Sequence, residues 1–209
     1  INKEQTPTIL PILPLRNTVL FPGVIIPITI GRDRSINLIN ETYKSNKIIG
    51  VLSQKDASIE LPEVSDLNSF GTVAHILKML RMPDGNITAI IQGRKRFELG
   101  EIVEKEPFYK AKVTELVEQN TKESDKEFGV LVDSVKEISL NIINLSPNIP
   151  SEAIIAIKNI ESPSFLIKFV SSNMNISLKE KQELLENMDL HDRAQKALSF
   201  LTKELQMLE

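Results

Sequence analysis

Apolar and polar positions divide this chain into two halves with different periods. Up to about residue 117 the apolar residues come in short runs of six to twelve, broken by Pro, Gly, Asn and Asp, which is the pattern of strands and turns. Ile9 to Leu15, Val24 to Ile30, Ile48 to Ser53 and Phe70 to Arg81 read as strands. Asn86 to Gln92, Arg96 to Lys105 and Tyr109 to Val117 read as three more, the last two separated at Glu106-Pro107. Met82-Pro-Asp-Gly85 is a turn, because proline fixes φ early and Asp-Gly tolerates the left-handed position. One helix is expected in this half. It opens in Gly31-Arg-Asp-Arg-Ser35 with Asp33 as N-cap and turns Ile36, Ile39 and Tyr43 inward. The polar stretch Gln54 to Ser69 reads as a loop.

Beyond the run Glu118 to Glu127, which has no apolar member, the period becomes helical. Leu131, Val135, Ile138, Ile142 and Leu145 fall on one helix face. Ser162-Pro163 is an N-cap followed by proline at the first helical position, and Ser177 with Glu180 forms a capping box. Asp189 opens a last helix with Ala194, Leu198, Leu201, Leu205 and Leu208 on one side. The expected organisation is a β domain over 1–118, a polar linker over 119–127 and a helical bundle of four or five helices over 128–209.

The proline-rich run Pro11 to Gly23 is the most distinctive piece. Three prolines interrupt an apolar stretch that ends in a Pro-Gly turn. Proline cannot donate to a ladder, so the run suits an edge strand or the start of a strand, not a central one.

Composition narrows the chemistry. The 209 residues contain no cysteine, which removes disulfides, thiolate metal sites and a cysteine nucleophile. A net charge of -3 gives no general attraction to nucleic acid or anionic lipid. No apolar stretch approaches the ~20 residues that span a bilayer, and no hydrophobic signal region opens the chain. The first residue is not Met, and the last helical pattern has no stop signal. Both ends therefore read as cut, and a piece of a longer protein is expected.

No phosphate-binding loop of the Walker type, no G-x-S-x-G elbow and no G-x-G-x-x-G is present. His75 and His191 fall in different halves and read as structural or solvent-facing. Glu101, Glu104 and Glu106 read as a solvated strand edge. The basic cluster Arg94, Lys95 and Arg96 reads as a charged turn between two strands, with phosphate binding as the alternative. Apolar groups flank two turns: Leu20, Phe21 and Pro22 at one, and Met79, Leu80 and Met82 at the other. Core packing accounts for most such residues. Where exposed, Met- and Pro-rich surface suits varied apolar peptides.

Taken in order, Leu10 to Gly23, Gly31-Arg32 with Ser35, Gln54-Lys-Asp56, Gly71-Thr-Val-Ala74, Met82 to Gly85 and Gly93 before Arg96 resemble the opening of the N-terminal region of bacterial Lon proteases. Asn148-Ile-Pro-Ser-Glu152 and Asn187-Met-Asp189 resemble the helical segment that follows in that family. The resemblance implies an α+β chain, a PUA-like β pseudobarrel with one helix and then an all-α bundle. It also implies a longer helix, an AAA+ ATPase using ATP and Mg, and a Ser-Lys serine protease beyond Glu209. No catalytic, cofactor or metal residue carries over to this stretch. The implied role is non-enzymatic: recognising and delivering unfolded, damaged or degron-bearing proteins for degradation, and supporting a cytoplasmic homo-hexamer without contact with membrane. The fragment alone is expected to be a monomer or weak oligomer. Leu20, Phe21, Pro22, Met79 and Met82 are the expected substrate contacts. The alternatives are a nucleic-acid-binding PUA-like module resting on Arg94, Lys95 and Arg96, and a stand-alone adaptor or ligand receptor of the same family.

Overall fold

The computed structural model describes residues 7–117 and 126–209. It separates into two compact units, Ile1–Val117 and Glu118–Glu209. Most of the polar run expected as a linker lies outside the described residues, while Lys126 and Glu127 belong to the helix that follows.

The first unit is built on six strands: β1 (Ile9–Leu15), β2 (Ile25–Ile30), β3 (Ile48–Ser53), β4 (Phe70–Arg81), β5 (Ile87–Glu104) and β6 (Lys110–Glu115). Their order is β2-β5-β4-β3-β1-β6, and β6 pairs back onto β5, so five strands close on themselves while β2 stays at an edge. The closure depends on the length of β5. Its first part pairs with β2 through Ile25↔Gln92 to Ile30↔Ile87. Its second part pairs with β6 through Phe97↔Glu115 to Glu104↔Lys110. The expectation of two strands separated by a charged turn at Gly93 to Arg96 is thus corrected. The chain runs through this stretch in one 18-residue strand.

A second correction concerns β1, which lies between two neighbours despite Pro11 and Pro14. Its pairings are staggered. Ile9 to Pro11 pair with β6, and Ile12 to Leu15 pair with β3. The Pro14 carbonyl accepts from the Arg32 guanidinium at 3.0 Å rather than from β3. The N and C=O of one strand residue point the same way, so the missing N–H of Pro14 also faces away from β3. Each part of the strand is in effect an edge, which is where proline is tolerated.

Two groups of buried side chains fill the unit. Leu13, Leu20, Ile30, Leu38, Ile39, Ile49, Ala74, Ile76, Ala89 and Ile91 belong to one group, under α1 (Asp33–Tyr43). Leu10, Ile12, Leu52, Leu67, Val73, Phe97 and Ala111 form the other. The α1 N-cap is Arg32 with no side-chain cap, and Asp33 is the first helical residue, where its charge still suits the helix N-terminus. The inward face of α1 is set by Leu38 and Ile39, with Ile36 and Tyr43 half-buried beside them.

In the second unit five helices follow: α2 (Lys126–Leu145), α3 (Glu152–Asn159), α4 (Pro163–Asn173), α5 (Leu178–Glu186) and α6 (Leu190–Leu208). Three of the starts follow the sequence signals. The Ser162 hydroxyl accepts from the Phe165 amide, Ser177 and Glu180 form a reciprocal capping box, and the Asp189 carboxylate accepts from the His191 and Asp192 amides. α2 packs on α6. Its buried line is Phe128, Val135, Ser139, Ile142 and Ile143, so Leu145, expected inside, is exposed. Arg193 is fully buried, and its guanidinium donates to the Asn187 carbonyl at the turn before α6. Among the described residues, no helix is long and apolar enough to cross a membrane.

Candidate functional site

The residues predicted to meet a partner separate into buried and exposed groups. Leu20 and Phe21 are 1% and 0% exposed, and Pro22 is buried as well. The Thr72 hydroxyl donates to the Leu20 carbonyl at 2.6 Å. Gly23 N–H donates to the Gly93 carbonyl at 2.9 Å, and Gly93 N–H donates to the Val24 carbonyl at 2.9 Å. The Leu-Phe-Pro-Gly run is therefore an internal plug held against β4 and β5. It offers no side chain to a ligand, and that corrects its assignment as a contact surface.

At the other turn, Met79 is half-buried and packs on the core, while Met82 is 43% exposed. Met82-Pro-Asp-Gly85 forms the expected turn, with Gly85 at φ 89° and its N–H donating to the Met82 carbonyl. The strand leading into it carries a register shift between Ile76 and Lys78. An extra residue in a strand exchanges inward and outward faces beyond it. Met79 consequently lies opposite buried Ala89, and Leu80 lies opposite Thr88 on the outer face.

Residues directly opposite each other share a face. The outer face of β2, β5 and β4 accordingly carries Ile25, Pro27, Thr29, Ile90, Thr88 and Leu80, with polar Gln92, His75 and Lys78 among them. Ile25 is 53% exposed, Leu80 is 43% exposed, and Pro27 is exposed too. Leu77, at the register shift, is also exposed. This apolar surface has β2 as its free margin. Of the predicted contacts only Met82 is exposed beside it, and sequence reasoning missed Ile25 and Leu77.

Two concavities among the described residues of the same unit bear on binding. One of about 290 Å³ is lined by Ile12, Leu38, Leu61, Phe108 and Tyr109, with Arg32 and Arg34 at its wall. Its Arg34 is already engaged, paired with Glu106 and lying 5.4 Å from the Tyr109 ring centre. The other, of about 420 Å³, lies between Leu13–Thr18 and Pro27–Arg32. Burial and the neighbouring Arg16 charge hold the Arg32 guanidinium below its ordinary pKa.

The basic triplet does not act as one exposed cluster. Arg96 is buried, Lys95 pairs with Glu115 at 2.7 Å, and Arg94 lies 3.2 Å from His75 Nδ1. His191 sits at the start of α6 with its ring 6.2 Å from Phe128. Among the described residues, no group of three or more His, Asp or Glu side chains is placed to hold a metal ion.

Comparison with known proteins identifies the family. Residues 9–203 match the model of the ATP-dependent protease La (LON) substrate-binding domain. The chain is 57% identical over 209 residues to the Lon protease of Flavobacterium johnsoniae, covering all of this chain and 26% of the relative. It is 49% identical over 209 residues to the Lon protease of Cytophaga hutchinsonii, again covering all of this chain and 26% of the relative. The chain thus spans about a quarter of the length of these curated relatives. The fold resembles the N-terminal domain of a Mycobacterium avium complex Lon protease, with a TM-score of 0.73 at 22% identity over 93% of this chain and 98% of that one. It also resembles the Lon N-terminal domain protein of Xanthomonas campestris, with a TM-score of 0.66 at 18% identity over 92% and 98% of the two chains. By its sequence match over nearly its whole length, the chain belongs to the family of Lon protease substrate-binding domains.

Proposed function

We propose that this chain captures exposed apolar segments of unfolded or degron-bearing proteins and delivers them to an ATP-dependent serine protease of which it is the N-terminal part. The observation that carries the reading is the outer face of β2, β5 and β4, where Ile25, Pro27 and Leu80 are exposed, with Met82 and Leu77 beside it. Such a face sets adaptable Met and branched side chains around a few polar groups, Gln92, His75 and Lys78, which suits partners that share hydrophobicity rather than a sequence. Binding by one copy would be weak. In a cytoplasmic homo-hexamer, linked copies raise the effective concentration and with it the avidity. The unit carrying the face is a PUA-like pseudobarrel, the helical bundle joins it to the motor, and ATP, Mg and the catalytic dyad belong to the remaining length of the parent.

Titrating a permanently unfolded protein into the chain while following backbone amides tests the reading. Perturbations should cluster at Ile25 to Thr29, Leu77 to Met82 and Thr88 to Ile90. Replacing Leu80 and Met82 together by Ser should abolish them. A shift pattern centred elsewhere, or one unchanged in the double variant, removes this face from the function.

A further inference from the structure

Three separate pieces of the sequence signature converge at one polar junction. Arg32 Nη1 donates to Gln54 Oε1 at 2.6 Å and to the Glu60 carbonyl at 3.2 Å, and Nη2 donates to the Pro14 carbonyl at 3.0 Å. Gln54 Nε2 in turn donates to the Asp56 and Ile59 carbonyls. Arg16 Nε donates to the Ala57 carbonyl at 2.8 Å. Every acceptor here is neutral. Among the described residues, no carboxylate forms an ion pair with Arg16 or Arg32. Asp56 and Glu60 accept at this junction through their backbone carbonyls, and the Asp56 carboxylate takes the Ser58 N–H and hydroxyl instead.

Two guanidinium groups thus share the wall of one concavity of about 420 Å³ with only neutral partners. They are close enough for the Arg16 charge to depress the Arg32 pKa. A guanidinium carries five N–H donors. The bonds above leave Arg32 two and Arg16 four. Like charges brought together in a partly desolvated place raise the energy of the empty site, and an anion lowers it. The planar fork of arginine matches a carboxylate in particular. The rest of the wall mixes apolar Leu15, Pro27 and Ile30 with polar Asn17, Thr18, Thr29 and Ser35. Pro27 belongs both to this concavity and to the apolar outer face, so one extended segment can engage the two together.

We propose that Arg16 and Arg32 form a carboxylate-binding site, and that its ligand is an acidic group, terminal or side-chain, on a polypeptide held by the adjoining apolar face. The choice of a polypeptide rests on the function proposed above; the oxyanion site itself does not.

The oxyanion site is tested first, with sodium acetate titrated into the 209-residue protein at constant ionic strength and inorganic phosphate in parallel. Saturable amide shifts are expected at Arg16 to Thr18 and Gly31 to Ser35 with acetate. They should be lost in Arg16→Gln and retained in part in Arg16→Lys. Arg16 is the residue to change because it is exposed and makes one hydrogen bond to a loop carbonyl, whereas Arg32 ties three segments together. Shifts that do not saturate, or that survive Arg16→Gln unchanged, overturn the site. Tighter saturation by phosphate than by acetate overturns the carboxylate assignment.

The ligand's source is tested with an apolar peptide in three forms: a free C-terminus, a C-terminal amide, and an amide with one internal Glu. One or both carboxylate forms should bind about tenfold tighter than the plain amide, the worth of one charge-assisted contact, and the advantage should vanish in Arg16→Gln. Whichever form gains identifies the group. Equal binding of all three overturns the polypeptide ligand while the apolar face stands. Failure of every form to bind removes the apolar face and with it the polypeptide ligand, and leaves the oxyanion site to be judged by the acetate result alone.

Discussion

Gly93 and Phe21 meet backbone to backbone. A Cβ placed on Gly93 would lie 2.3 Å from the Phe21 carbonyl oxygen and 3.2 Å from the Pro22 Cα. The contact lies where β5 passes from its pairing with β2 to its pairing with β6. The closeness lets the Leu20 to Gly23 plug seat against the sheet, and the reciprocal bonds of Gly93 with Gly23 and Val24 fasten it.

Gly93→Ala therefore forces one backbone away from the other, since no flexible side chain stands in the way to yield. A loss of about 2 kcal/mol or more is expected, comparable with other overpacking changes. Urea unfolding followed by far-UV circular dichroism measures it. A change under half that size would mean that the plug accommodates a methyl group and is not tightly seated.

Phe21 and Leu80 should separate stability from binding. Phe21→Ala empties a fully buried aromatic site and should cost about 3–5 kcal/mol. Leu80→Ala trims an exposed side chain on the outer face and should change stability by no more than about 0.5 kcal/mol. It should nevertheless weaken capture of unfolded protein severalfold. The two variants, measured by denaturation and by anisotropy of a labelled unfolded chain, give opposite patterns if the outer face does the binding.

The difference between these residues marks how far the sequence could be read. Element positions were legible because period, caps and turns are local. β1, β3 and β4 stand where their apolar runs predict, and the caps at Ser162, Ser177 and Asp189 form as expected. The continuous β5 was not legible, because Gly93 to Arg96 has turn chemistry and only its long-range pairings with β2, β4 and β6 keep it extended. The exposed face was half legible. Simple alternation from Ile76 sends Met79 outward, and the register shift at Leu77 reverses that order and exposes Leu80 instead. A bulge leaves no reliable mark in a single sequence, whereas a single slipped residue changes which side chains a partner can touch.

The capping box of α5 offers a test confined to the second unit. Ser177 Oγ accepts from the Glu180 amide at 3.1 Å, and the Glu180 carboxylate accepts from the Ser177 amide at 3.2 Å. Ser177→Ala removes one half of this exchange and should cost about 1 kcal/mol. Hydrogen exchange should quicken at the first turn of α5 and leave the strands of the first unit unchanged. Uniform acceleration in both units would mean that loss of the cap is not confined to the second unit.

Acid should weaken the second unit through Asp192. The Asn187 side-chain amide donates to its carboxylate at 2.7 Å, and Lys196 lies 3.3 Å away. The hydrogen bond from Asn187 is the main cause that holds its pKa below the usual 3.8, with smaller help from Lys196 and His191 against a slight desolvation. The folded form thus binds its proton less readily than the unfolded form. The stabilisation is fully present above about pH 4 and disappears as pH falls through the lower folded value. Because the group is exposed to solvent, the effect should be no more than about 0.5 kcal/mol. Asp192→Asn should shift the urea midpoint of the second unit by a constant amount at neutral pH, and the gap between variant and parent should close once pH has fallen below the lowered folded value. A gap that persists at that pH would assign the effect to packing around Asn187 instead of to the charge.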